Sequence, residues 1–63
     1  MKSIGQKLTG MKEISAYAKR SEATIMDWIL RENFPAENVG GVWESHTGRI
    51  DSFYRAKAME ALG

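Results

Sequence analysis

Pro35 is the only proline in the chain, and it separates a stretch that can be helical from one that cannot continue that helix. Its ring removes an amide hydrogen and disfavours helical torsions at Phe34, so a helix arriving from the N-terminal side ends by about Asn33. Beyond it, Gly40-Gly41 supplies the positive φ angles of a tight hairpin turn at the least steric cost. The flanking runs predict strands over Ala36–Val39 and Val42–Ser45. Strands this short need helices to pack on, and Trp43 is the side chain expected to make that contact.

The region before Pro35 supplies two such helices. Thr9 or Gly10 caps a first helix beginning near Met11, where Ile14, Tyr17 and Ala18 fall at i, i+3 and i+4 and form one apolar stripe. Lys19 and Arg20 interrupt the stripe. Ser21 then offers a hydroxyl to the amide of Ala23 or Thr24, and Glu22 suits the positive end of a helix dipole. The second helix runs from about Glu22 to Glu32, with Ile25, Trp28 and Ile29 again on one side. Two short helices joined by a three-residue turn have the outline of a helix-turn-helix. After the hairpin, Ser45 or Thr47 caps a last helix in which Ile50, Phe53, Tyr54, Lys57 and Ala58 recur at helical spacing while Asp51, Ser52, Arg55 and Glu60 face outward. The expected fold is mainly α with a small β-hairpin, in the order helix, turn, helix, hairpin, helix. Residues 1–8 read as a flexible N-terminal arm and 9–63 as one domain.

The 63 residues leave room for a single core and no second lobe. A domain of this size buries only ~60% of the surface its unfolded chain exposes, so a few large side chains must carry it. Trp28, Trp43, Phe34, Phe53, Tyr17, Tyr54, Ile14, Ile25, Ile29, Val39, Ile50 and Leu62 are available. The absence of cysteine excludes a disulfide framework and a thiolate zinc site, and suits a reducing cytoplasm. No apolar run approaches the ~20 residues of a membrane span, so no membrane partner is expected.

Nine Lys and Arg against eight Asp and Glu give a net charge of only +1, a weak balance for a ligand of polyanions. The distribution says more: Lys2, Lys7, Lys12, Lys19 and Arg20 stand against Glu13 alone in the first 20 residues. Those cations form either a phosphate-binding strip or an ordinary solvated face. His46 is the only histidine, and without a second strong ligand it makes a poor metal site. Gly40-Gly41 lacks the longer glycine pattern and the Lys-Ser or Lys-Thr of a nucleotide loop. No nucleophile with a base and no carboxylate pair stands out, so neither an enzyme nor a cofactor is expected. Trp28 and Trp43 fit core packing better than base stacking.

Taken together, Ser21-Glu22-Ala23-Thr24-Ile25 leading to Trp28-Ile29, then Phe34-Pro35-Ala36, Val39-Gly40-Gly41-Val42-Trp43 and Ile50-Asp51-Ser52-Phe53 resemble the excisionase and MerR-like winged helix-turn-helix domains. Those include the small AlpA-type regulators of phages and prophages. The resemblance covers roughly residues 9–55. It implies that helix 22–32 enters the major groove of double-stranded DNA and that the Gly40-Gly41 hairpin, with Val42, is the wing. On that basis Glu22, Ala23, Thr24, Met26, Asp27 and Arg31 meet the DNA. Ser21 or Thr24 would donate to a phosphate, Ala23 or Met26 would pack on a thymine methyl, and Lys12, Lys19 and Arg20 would reach the backbone. The chain departs from the family where Met26 and Asp27 replace common arginines, where Val42 and Glu44 replace basic wing residues, and where Lys19 stands at a frequent glycine.

The implied function is that of a small regulator or recombination directionality factor. The DNA-recognition domain of lambda-type terminase small subunits is similar too, and there a longer assembly region follows; the end at Gly63 favours the regulator. A third class is a winged helix turned protein-interaction module, suggested by Glu22, Asp27 and Glu44. Met59 and Leu62 lie beyond what a small core needs, so self-association or a co-operating protein is expected at the C-terminal helix.

Overall fold

The two stripes before Pro35 fold as short helices. A computed structural model describes residues 5–62, with α1 at Met11–Ala18 and α2 at Glu22–Arg31. Ser21 holds extended torsions and its Oγ accepts from the Thr24 amide at 3.1 Å, the bond its position predicts. Between the helices Lys19 adopts the left-handed conformation at φ 60 and ψ 42, and its amide donates to the Ser15 carbonyl. A non-glycine residue there is strained, and this torsion accounts physically for a site that favours glycine. The α2 helix ends with Glu32 as C-cap, before Pro35 can interfere.

The hairpin forms as the glycine pair dictates. Strands β2 (Glu37–Val39) and β3 (Val42–His46) are joined by Gly40 at φ 61 and Gly41 at φ 89, and Val39 lies opposite Val42. Asn38 Oδ1 accepts from the Gly41 amide at 3.0 Å and tightens the turn. A third strand comes from a segment expected to be an arm: β1 (Lys7–Thr9) pairs antiparallel with β3, Leu8 opposite Ser45. The sheet order is therefore β1-β3-β2, with the Trp43 strand in the middle. Thr47 continues this join, its amide donating to the Gln6 carbonyl at 2.9 Å and its Oγ1 accepting from the Gln6 amide at 2.9 Å. Residues 1–4 of the expected arm lie outside the described residues.

The last helix, α3 (Thr47–Leu62), follows β3 without a loop. The Gly48 amide donates to His46 Nδ1 at 3.1 Å, which gives the only histidine a local role at the helix start. The described residues are thus mainly helical, with three helices and a three-stranded antiparallel sheet. Among the described residues no helix is long and apolar enough to cross a membrane.

One residue from each helix forms the centre of the core. Ile14, Ile25 and Ile50 are fully buried, joined by Leu8 from β1, Ala18 and Phe34. Trp28, Phe34, Phe53 and Tyr54 pack around them as a ring cluster with centroids 5.0–6.1 Å apart. Tyr54 donates through its hydroxyl to the Ala18 carbonyl at 2.7 Å, fastening α3 to the end of α1. Three members of the apolar inventory, Tyr17, Val39 and Leu62, are not in this core. Tyr17 is 40% exposed and donates to Asp51 at 2.7 Å, while Val39 sits 53% exposed on the edge strand β2.

Candidate nucleic-acid interface

Burial of Ile25 and Ile29 fixes which side of α2 turns outward. Ala23, Asp27 and Leu30, at i, i+4 and i+7, form the exposed row on the other side, with Glu22 and Arg31 exposed beside it. Leu30 is 78% exposed, an uncommon setting for so large an apolar side chain on a helix. It belongs to the same row as Ala23 and Asp27, and reading the spacing from Ala23 would have included it. Met26 and Thr24 are half-buried at the margins of this surface.

The two hydroxyls at the start of α2 have different roles. Ser21 Oγ accepts from the Thr24 amide and donates to Thr24 Oγ1 at 3.0 Å, so it is committed to the cap. Thr24 uses its oxygen as acceptor and keeps its own hydroxyl hydrogen available. Of the two candidate phosphate donors, Thr24 is the one left free.

Asp27 is not an isolated acid. Arg31 Nε lies 2.7 Å from Asp27 Oδ1, an ion pair across one turn of the helix. The carboxylate that a polyanion would repel is therefore partly neutralised by a cation on the same surface.

The basic residues divide into paired and unpaired. Lys7 meets Glu44 at 3.2 Å, Arg49 meets Glu37 at 3.8 Å, and Lys57 bonds Glu32. These bonds explain why the acids of the hairpin are tolerated, since Glu37 and Glu44 each have a cation from outside it. Among the described residues Lys12, Lys19, Arg20 and Arg55 form no ion pair. Lys12 and Lys19 lie exposed at opposite ends of α1. Arg20 is placed differently: its guanidinium lies over the rings of Trp28 and Tyr54, 5.7 and 5.9 Å from their centroids, and Nη1 donates to the Lys19 carbonyl at 2.9 Å. Trp28 is well round the helix from Ala23 and Asp27, so Arg20 sits against α3 rather than beside the outward row.

At the hairpin tip Gly40, Gly41 and Val42 are exposed together with Val39. The tip presents apolar side chains and backbone groups, and its nearest charges are the paired Glu37 and Glu44.

Among the described residues two groups are shifted from their ordinary values, both through contacts between elements. The Tyr17 hydroxyl is raised chiefly by its hydrogen bond to Asp51, and the Lys57 ammonium chiefly by its bond to Glu32. Each ties α3 to another helix, Tyr17 from α1 and Glu32 from the end of α2. Set against protein-family models, curated proteins and solved structures, the chain has no match.

Proposed function

We propose that this domain is a small winged helix-turn-helix that binds double-stranded DNA, with α2 in the major groove and the β2–β3 hairpin as its wing. The observation that carries the reading is the outward side of α2. Its exposed residues are uncommitted to the core, its N-terminus is capped, and a free hydroxyl at Thr24 stands at its margin. Helix-turn-helix proteins use the N-terminal part of the second helix at base edges, which here means Glu22, Ala23 and Met26, and the long, exposed Arg31 side chain extends that surface towards the end of α2. Lys12 and Lys19 supply unpaired charge for the phosphates. A regulatory or recombination role of the phage and prophage type follows from the sequence resemblance, and modest affinity follows from the small number of unpaired cations.

Titration of a random duplex into isotope-labelled protein tests this directly. The amides of Glu22, Ala23 and Gly40-Gly41 shift on binding, while those of residues 56–62 stay in place. Shifts confined to α3 would contradict the placement.

A second reading is a protein-interaction module. It is favoured by one observation, the hairpin tip whose Val39 and Val42 are exposed and carry no cation. Under this reading no duplex shifts any amide.

A further inference from the structure

The outward row of α2 contains a pair with a consequence for sequence choice. Arg31 forms an ion pair with Asp27, Nε lying nearest the carboxylate at 2.7 Å, and among the described residues neither side chain has a further ion-pair partner or a hydrogen bond to another residue. With Nε nearest the carboxylate, both Nη groups are without a partner among the described residues. Those two form the fork that matches O6 and N7 of guanine in the major groove, the commonest specific contact between protein and base. An exposed pair of this kind adds little to the stability of the fold. Its physical effect is to hold a long side chain in one orientation, which removes part of the ordering cost before the DNA arrives. Ala23 and Leu30, in the same row, offer apolar atoms only, the chemistry that contacts a thymine methyl.

We propose that Arg31, positioned by Asp27, reads a guanine in the major groove. The inference rests on the reading of α2 as the DNA-facing helix. Asp27 then has two opposed effects. It repels DNA of any sequence through its charge, and it sharpens the choice of base by fixing Arg31. A phosphate-contacting arginine beside an incidental aspartate would not combine these effects.

Selection of bound sites from a random duplex pool, followed by affinity measurements on the selected and on random duplexes, separates the possibilities. The wild-type chain enriches a guanine at one position. Arg31→Ala reduces the preference at that position by about 5- to 100-fold, the loss of one bidentate contact. Arg31→Lys keeps the charge but not the fork, so it loses the same preference and retains affinity for random duplex. Asp27→Ala weakens the preference and strengthens binding to random duplex. Both side chains are exposed, so the variants melt with the wild type, and Arg31→Lys serves as the conservative control. Equal weakening by Arg31→Ala on every sequence, with a shallower salt dependence, would make Arg31 a phosphate contact and overturn the proposal. Wild-type binding without any guanine preference overturns it while the DNA reading stands; no binding to any duplex at ~50 mM salt removes both.

Discussion

Lys19 shows how one torsion can connect stability and function. At φ 60 and ψ 42 it holds the left-handed conformation that a glycine adopts without strain, yet it also exposes one of the few unpaired ammonium groups. Lys19→Gly should therefore raise stability by about 1 kcal/mol, read by thermal melting, and at the same time weaken binding to all DNA alike. Gain of stability without any change in DNA affinity would remove Lys19 from the interface. Arg20, its neighbour in sequence, behaves differently because its guanidinium is stacked on Trp28 and Tyr54. Arg20→Ala costs about 0.5–1 kcal/mol in stability and reduces DNA affinity less than Lys19→Ala does. At the start of α2, Thr24→Ala changes sequence preference, whereas Lys12→Ala weakens specific and random duplexes equally and reduces the salt slope by about 1. These differences were only partly legible in the sequence. The cap at Ser21 could be read from residue type and position, but which hydroxyl remains free depends on the Ser21–Thr24 bond, and the stacking of Arg20 depends on where α3 passes.

The helices are held to one another by a few polar clasps as well as by the core, and these give α3 its position. Tyr17 donates to Asp51, and this bond raises the tyrosine above its ordinary value. A group raised in the folded state stabilises it fully below the unfolded value and loses that contribution as pH rises through the folded one, so the clasp acts at neutral pH and fails in alkali. Asp51→Asn should bring Tyr17 back towards the ordinary value, read as a downward shift in the ultraviolet titration of the variant relative to the wild type; titration curves that superimpose would contradict the bond. The apolar periodicity predicted α1 and α2 closely because burial of Ile14, Ile25 and Trp28 follows directly from helical spacing. It overreached at Tyr17, since a core this small is filled by Ile14 and Ala18 and leaves the third member of the stripe at the rim. Strand β1 was not legible: three residues, Lys7–Thr9, carry no period, and only the free edge of β3 makes them a strand. The hairpin was legible for the opposite reason, because Gly40 and Gly41 have a local torsional requirement that no tertiary context needs to supply.

The whole molecule is a small core of three buried isoleucines, one from each helix, with its aromatic side chains around them. A chain of this length has a total stability of roughly 3–9 kcal/mol, and truncating one buried isoleucine removes about 2–5 kcal/mol. Ile25→Ala should therefore unfold much of the population near physiological temperature and abolish binding, which distinguishes it from the exposed α2 substitutions that leave melting unchanged. Beyond the core, Met59 and Leu62 are 64% and 84% exposed on α3. If the C-terminal helix joins two copies, sedimentation of the wild type shifts with concentration and Leu62→Ser removes the shift. The central claim is that α2 and its neighbouring cations form a DNA-binding surface, and it is tested most directly by the salt dependence of affinity for a random duplex. The surface described here predicts binding at ~50 mM salt that weakens with a log-log slope of about −2 to −3, as for two or three phosphates. A chain that fails to bind at that salt, or binds with no salt dependence, would contradict the claim.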